Sequence, residues 1–389
     1  MNYNFDEIIE RRHTNSLKYD FAAERGKPEG LLPLWVADMD FKTAPCVTQT
    51  LIESANHAIF GYTEVKGDYF HAVKNWFVSG FDFEIERKWL IKTPGIMYAI
   101  CMAIRGFTKV GDSVLIQQPV YYPFMESVLS NDRNLVVNSL VYENGGYQID
   151  FADFEQKIVE NQVKLFALCS PHNPVGRVWT KDELQKMGNI CMKHHVLVVS
   201  DEIHCDFIYN GYKHFIFSSL SQEFLENSII CTSPSKTFNL AGLQISNNFI
   251  ASPTIRHKFK AEIVKTGYSQ LNTMGLVACQ SAYENGKDWF LALMKYLTEN
   301  LAFTRDFVKE HLPQIKMIDP QGTYLIWLDF SALSLSMQEL DDLMVKKAKL
   351  WIDHGTMFGP EGEGFIRINI ACPRKLLQTA LERIRDAVQ

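Results

Sequence analysis

The stretch Ser228-Ile229-Ile230-Cys231-Thr232-Ser233-Pro234-Ser235-Lys236 decides the fold. It begins as a short apolar run and then changes to small hydroxyl residues, a proline and a lysine. A short apolar run bounded by turn residues is typical of a strand that is buried on both faces of a sheet. Ligands of open α/β sheets bind at the carboxyl ends of the strands. The sequence therefore predicts a buried strand that ends just before Lys236, with the lysine in the position of a binding site.

Three further apolar runs, at 113–116, 164–168 and 196–199, precede this stretch. The segments between the runs are long enough for crossover helices, and one such helix is marked by the capping-box pair Thr180 and Glu183. Strands that alternate with helices in this way indicate a mostly parallel sheet with helices on both faces. We therefore expect an α/β fold built on one large domain.

The last hundred residues have a different pattern. A long helical stretch near 290–310 precedes a strand at 322–328, a helix near 337–349, a glycine-rich turn at 359–364 and a strand at 365–370. This order is typical of a smaller α+β domain. We predict an N-terminal segment at 1–50 that packs with the small domain, a large domain at 51–285 and the small domain at 286–389.

Composition excludes several classes of protein. The 389 residues are 47% hydrophobic, which excludes a disordered chain, and 39 Lys and Arg against 45 Asp and Glu give a net charge of −6. No basic surplus favours nucleic acid or an anionic membrane, and no apolar run is long enough for a membrane span. The eight cysteines are at least 14 residues apart and form no zinc-ligand spacing. We expect a cytoplasmic protein without a metal that acts on small molecules.

Polar residues also follow the other predicted strands. Ser170-Pro171-His172-Asn173-Pro174-Val175-Gly176 follows the second run, Ser200-Asp201-Glu202-Ile203-His204 follows the third, and Thr93-Pro94-Gly95-Ile96-Met97 opens a helix. A lysine among apolar neighbours suits a Schiff-base nucleophile, and a buried carboxylate needs a cationic partner. Helix N-termini and hydroxyl groups bind phosphate. Pyridoxal phosphate needs all three of these groups in one site.

On these residues the sequence resembles the fold-type I pyridoxal-phosphate enzymes of the class I/II aminotransferase superfamily. Within them it resembles the MalY/PatB-type cystathionine β-lyases. The resemblance extends over nearly the whole chain, and its subgroup-specific segments are Trp35-Val36-Ala37-Asp38-Met39-Asp40-Phe41 and Asp201-Glu202-Ile203-His204. It implies a large α/β/α domain with a smaller α+β domain, and pyridoxal 5′-phosphate as the cofactor.

The resemblance also implies roles for individual residues. Lys236 would form an imine with the cofactor aldehyde and move the α-proton, and Asp201 would pair with the pyridine N–H. Tyr62 would reach the cofactor phosphate of a partner subunit, so the complete catalytic site would need a homodimer. The other implied cofactor contacts are Asn173, Tyr121, Gly95, Ile96, Ser233, Ser235 and His204. The implied substrate contacts are Arg367, Asn173 and Trp35.

Two positions depart from the general superfamily pattern. His204 stands where a tyrosine three residues after the aspartate is usual, and Gln244 stands where an arginine eight residues after the lysine is usual. Both departures resemble features of the lyase subgroup. They leave the predicted phosphate site with less fixed positive charge.

Three functions remain open on the sequence. The first is a lyase that eliminates the thiol from L-cystathionine or another L-cysteine S-conjugate and forms pyruvate and ammonia. The second is an aminotransferase, which would use every residue named above. The third is a pyridoxal-phosphate-bound regulatory protein that acts through a protein–protein surface. A nucleotide-binding Rossmann domain is disfavoured because no Gly-x-Gly-x-x-Gly follows the first strand.

Overall fold

A seven-stranded sheet forms the centre of the computed structural model, which describes residues 3–389. Its strands stand in the order β2-β10-β9-β8-β7-β3-β4, and β10 runs antiparallel to the other six. The strands are β2 (Leu90–Thr93), β3 (Ser113–Gln118), β4 (Asn134–Ser139), β7 (Leu165–Cys169), β8 (Leu197–Asp201), β9 (Ser228–Thr232) and β10 (Ser246–Phe249).

Helices cover both faces of this sheet. Every residue of β3, β7, β8 and β9 is buried, which is the pattern that a doubly covered parallel sheet requires. The helices of this part of the chain are α1 (Pro45–His57), α2 (Gly67–Phe81), α3 (Ile96–Phe107), α4 (Pro123–Leu129), α5 (Phe151–Glu160), α6 (Lys181–Lys193), α7 (Gln222–Glu226), α8 (Pro234–Thr237), α9 (Pro253–Lys265) and α10 (Thr273–Asn285).

The chain then enters the 25-residue helix α11 (Lys287–His311), which leads to a four-stranded antiparallel sheet. The strand order is β11-β12-β15-β14, and a helix follows at the carboxyl end of the chain. These elements are β11 (Lys316–Ile318), β12 (Leu325–Asp329), α12 (Met337–Asp342), β14 (Asp353–His354), β15 (Phe365–Asn369) and α13 (Arg374–Val388). A small hairpin, β5 (Val141–Glu143) and β6 (Gly146–Gln148), completes the large part.

The N-terminal segment contacts this second sheet region. Strand β1 (Leu32–Pro33) pairs in parallel with β13 (Leu350–Trp351), and the Asn369 side chain donates hydrogen bonds to the Val36 and Asp38 carbonyls at 2.7 Å each. Residues just before α1 are therefore attached to β15. The division of the chain at 50 and 285 stays a prediction.

All four predicted buried strands and the capping box at the start of α6 are present. Two boundaries in the C-terminal region differ from expectation. The strand predicted from residue 322 begins only at Leu325, because Thr323 has a positive φ of 68° that ends extended pairing on that side. The helix predicted at 337–349 is α-helical only to Asp342 and continues as a π-helical turn to Lys347.

Within residues 3–389 no helix combines the length and the apolar character needed to cross a membrane.

Candidate active site

One cavity lies where the carboxyl ends of β7, β8 and β9 meet the N-terminus of α3. It brings together most of the residues that the sequence predicts to bind a cofactor. The predicted residues that line it are Gly95, Ile96, Tyr121, Asn173, Asp201, His204, Ser233, Ser235 and Lys236. Ala37, Met97, Cys169, Ile203 and Gln244 are among the other lining residues. The convergence of distant segments is the consequence of a parallel sheet, whose strands end at one edge.

Lys236 lies in the short helix α8, one turn beyond β9. Its Nζ donates a hydrogen bond to the Ala37 carbonyl at 2.7 Å. Burial and the positive charge of Arg367 together lower the pKa of Lys236 to about 8, against the Asp38 and Asp201 carboxylates, which raise it. A lysine with this pKa holds a useful fraction of neutral, nucleophilic amine near pH 8.

Asp201 is the last residue of β8 and is buried. Among residues 3–389 its side chain accepts a single hydrogen bond, from the Ile203 N–H at 3.1 Å. Burial, aided by the neighbouring Glu202, raises the pKa of Asp201 to about 7 against the opposing effects of the Ile203 N–H and of Lys236. A carboxyl group in this state favours a cationic hydrogen-bond donor, because such a donor would restore its charged form.

The N-terminus of α3 forms the opposite wall. Gly95 is the N-cap and has no side chain, so the first N–H groups of a 12-residue helix face the cavity. Gly95 has φ +150°, and a Cβ placed there would meet no atom within 4 Å and would point into open space. Ser233 Oγ donates to the Ile245 carbonyl at 2.7 Å and lies 2.9 Å from Ser235 Oγ. Backbone donors and the Ser235 hydroxyl can therefore meet an anion.

Arg367 reaches this region from β15 and is buried. It donates to Asn173 Oδ1 at 2.9 Å and to the Trp35 carbonyl at 2.8 Å, and it forms an ion pair with Asp353. Its Nε has no hydrogen-bond partner among the described residues. The Tyr121 N–H donates to the Asn173 carbonyl at 3.0 Å, which fixes these two predicted residues relative to each other.

His204 lines the cavity as a buried imidazole. Its ring contacts Phe207 and Tyr324 edge-on, and its Nδ1 has no partner within the part of the chain that the structure describes. Burial, together with the positive charges of Lys236 and Arg367, holds its pKa well below 6.5. His204 is therefore neutral at physiological pH.

Two predicted site residues lie away from the cavity of their own chain. Tyr62 is 97% exposed, in a loop where Ile59 and Phe60 are also exposed. The Trp35 indole stacks on Trp351 with ring centroids 4.5 Å apart, so Trp35 contacts the site only through its carbonyl.

Sequence reasoning missed two groups that shape the site. The first is the Asp353 carboxylate, which forms an ion pair with Arg367 and offsets part of its positive charge. The Ala37 carbonyl accepts the Lys236 amine. The subgroup-specific Trp35–Phe41 segment indicates that this part of the chain matters. It does not reveal the contact of the Ala37 carbonyl, because any residue type has a backbone carbonyl.

Comparisons with known proteins cover nearly the whole chain. The family model for aminotransferase class I and II matches residues 29–384. Cystathionine beta-lyase PatB of Bacillus subtilis is 42% identical, with 99% of this chain and 100% of PatB covered. A structure of a pyridoxal-phosphate-bound protein from Clostridium difficile, provisionally named an aminotransferase, is 43% identical, with a TM-score of 0.97 and 100% of both chains covered.

The pyridoxal-phosphate-bound C-S lyase of Staphylococcus hominis is 34% identical, with a TM-score of 0.93, and 100% of this chain and 98% of that chain are covered. Sequence, fold and the position of the cavity thus lead to one conclusion: the chain belongs to the aminotransferase class I and II family, in the branch that includes PatB.

Proposed function

We propose that the chain is a pyridoxal-phosphate-dependent carbon–sulfur lyase. It takes L-cystathionine or another L-cysteine S-conjugate and, with one water, releases the thiol, pyruvate and ammonia. The observation that carries the proposal is that Lys236 and Asp201 line one cavity with the N-terminus of α3. The type of reaction is supported by full-length similarity to two proteins named as lyases.

The residues present fit the cofactor. The raised pKa of Asp201 is that of a buried acid whose cationic partner is supplied by a ligand, and a pyridinium N–H is such a partner. The open space above Gly95 and the free N–H groups of α3 suit a phosphate. Tyr121 and His204 give the site an aromatic wall. When bound, pyridoxal phosphate supplies an aldehyde for the substrate amine and an electron sink for the α-carbon.

Lys236 moves the substrate protons in this proposal. Its neutral fraction near pH 8 removes the proton from Cα, and the resulting ammonium donates a proton to the departing sulfur. The Ala37 carbonyl accepts a hydrogen bond from the amine while it is free of the cofactor. The side chain therefore stays directed into the cavity between proton transfers.

Arg367 and Asn173 bind the α-carboxylate of the substrate. The guanidinium is fixed by Asp353 and by the Trp35 carbonyl, so its remaining donors are already oriented. A planar, charged donor of this kind suits a carboxylate. The Asp201 carboxylate would pair with the pyridine N–H of the cofactor and so takes no part in binding the substrate carboxylate.

We also propose a homodimer in the cytoplasm. Tyr62, Ile59 and Phe60 form an exposed apolar loop, which supports burial of this loop against a second copy. In that arrangement Tyr62 contributes to the partner's site. Six of the eight free cysteines are buried, which is compatible with a reducing compartment.

The lyase proposal is tested with the purified full chain and L-cystathionine. We expect one pyruvate for each thiol released, and no product from the Lys236→Ala variant. The same protein is incubated in parallel with an amino acid and 2-oxoglutarate. Amino transfer in this second assay, without pyruvate in the first, would replace the lyase by the aminotransferase alternative.

A further inference from the structure

The Trp35–Asp40 segment lies between β1 and α1. Its backbone carbonyls accept hydrogen bonds from the two basic side chains of the site, Arg367 and Lys236. The Trp35 carbonyl accepts a hydrogen bond from Arg367 at 2.8 Å, and the Ala37 carbonyl accepts one from Lys236 at 2.7 Å. The position of this segment therefore determines where two of the residues proposed to bind and transform the substrate are directed.

Two carboxylates of the segment are held by two cations from the N-terminal arm. Arg11 places one nitrogen 2.6 Å from Asp38 and another 2.6 Å from Asp40, and Lys18 lies 2.7 Å from Asp40 and 3.6 Å from Asp38. We call these four residues the N-terminal charge cluster. Lys18 is fully buried. Buried ion pairs contribute little net stability, so a cluster of this kind suggests a role in fixing geometry.

The cluster also bears on the charge of Lys236. The charged groups that act on the amine are Asp38 from the Trp35–Asp40 segment, Asp201 from β8 and Arg367 from β15, and the neutral His204 lies beside them. Burial opposes ionisation of Asp38, but Lys18 and Arg11 outweigh burial and hold the pKa of Asp38 below its ordinary value. Asp38 thus remains a carboxylate in the pH range of catalysis.

We propose that Arg11 and Lys18 are positioning residues that hold the Asp38 carboxylate and the Ala37 carbonyl against Lys236, so that the N-terminal arm sets the charge and direction of the catalytic amine. The inference rests on the proposed function, because it takes Lys236 as the reactive amine. It adds a role for the charged residues of the subgroup-specific segment.

The test measures the titration of Lys236 without turnover. The full-length chain, freed of cofactor, is labelled with trace acetic anhydride from pH 6 to pH 10, and peptide mass spectrometry gives the midpoint at Lys236. In Asp38→Asn the lost attraction should lower this midpoint by about 0.5 to 1 unit, which raises labelling at pH 7 about three- to fivefold. The midpoint, unlike the total labelling, is insensitive to a general gain in access.

Arg11→Lys separates position from charge. It keeps the positive charge, but one ammonium cannot reproduce a fork that contacts both Asp38 and Asp40. Asp38 then loses its 2.6 Å contact and keeps only the 3.6 Å approach of Lys18, so it moves toward solvent and the midpoint should fall in the same direction as in Asp38→Asn. This variant also keeps the proposal testable if Asp38→Asn does not fold.

Lys27→Met is the matched control. Lys27 belongs to the same N-terminal arm and forms an ion pair of 2.7 Å with Asp341, away from the Trp35–Asp40 segment. The pH midpoint of labelling at Lys236 in the Lys27→Met variant should equal the midpoint in the native chain. The proposal is overturned if the midpoint is unchanged in Arg11→Lys, or if it falls equally in Lys27→Met. Failure to cleave cystathionine would overturn the proposed function and leave the labelling result standing.

Discussion

Replacement of Asp201 by asparagine should stabilise the cofactor-free protein at alkaline pH and cripple the loaded enzyme. Asn keeps the size of the side chain and a carbonyl acceptor for the Ile203 N–H, which lies 3.1 Å from the carboxyl in the native chain. Unlike the carboxyl group, the amide of asparagine does not ionise. The variant therefore isolates the free energy of holding a charge at the end of β8.

The magnitude follows from the pKa of Asp201, which burial raises from 3.8 to about 7. A group whose pKa is higher in the folded state contributes its full stability below the unfolded pKa and loses it as the pH rises through the folded pKa. At 1.36 kcal/mol for each pKa unit, the shifted ionisation of this carboxyl lowers the free energy of unfolding by about 2 kcal/mol at pH 5, where only the unfolded chain is ionised, and by about 4 kcal/mol at pH 8.5. The free energy of unfolding of Asp201→Asn, measured relative to that of the native chain, should thus rise by about 2 to 3 kcal/mol from pH 5 to pH 8.5.

Urea unfolding of both cofactor-free proteins at several pH values measures this difference. Other buried acids, such as Asp206, are common to both proteins and cancel. With cofactor bound, the same substitution should reduce turnover by about 10² to 10⁴, because an amide cannot hold a pyridinium by charge. Parallel stability curves from pH 5 to pH 8.5 would refute the burial of an uncompensated carboxyl at this position.

Three further experiments test other parts of the site. Arg367→Lys should lower kcat/KM about 10- to 100-fold, a loss of roughly 1.5–3 kcal/mol, with the cofactor spectrum unchanged; an unaltered kcat/KM in steady-state assays would remove Arg367 from carboxylate binding. Inactive Lys236→Ala and Tyr62→Phe subunits, mixed after dissociation, should regain part of the activity, and verified hybrids without activity would argue against a shared site. Gly95→Ala should weaken cofactor binding in a fluorescence titration more than Gly111→Ala, which replaces another glycine of positive φ (+82°) outside the cavity; equal affinities would contradict phosphate binding at α3.

The sequence predicted the central strands well because each is a short apolar run that ends in turn residues. The run at 228–231 became Ser228–Thr232, and Lys236 follows it at the cavity, as expected. It did not reveal β10, whose residues are Ser246, Asn247, Asn248 and Phe249. Its asparagines are buried because they have hydrogen-bond partners from distant segments, such as the Tyr69 hydroxyl at 2.7 Å from Asn247. A polar strand of this kind cannot be distinguished from a loop before those partners are known.

The candidate site shows the same limit. Residue types pointed to Lys236 and Asp201, which both line the cavity, because the chemistry predicted for them belongs to their side chains. The contact of Trp35 with Arg367 is made by its carbonyl, while its indole stacks on Trp351, 316 positions later in the chain. Only the fold determines which face of residue 35 meets the site, because the pairing of β1 with β13 sets its direction.

The most direct test of the account is to reduce the purified protein with borohydride and locate the bound cofactor by peptide mass spectrometry. We predict that the protein absorbs visible light before reduction, that the phosphopyridoxyl group is found on Lys236, and that Lys236→Ala retains no reducible label. A label on another lysine, or a protein that binds no pyridoxal phosphate when the cofactor is supplied, would contradict the assignment of this cavity.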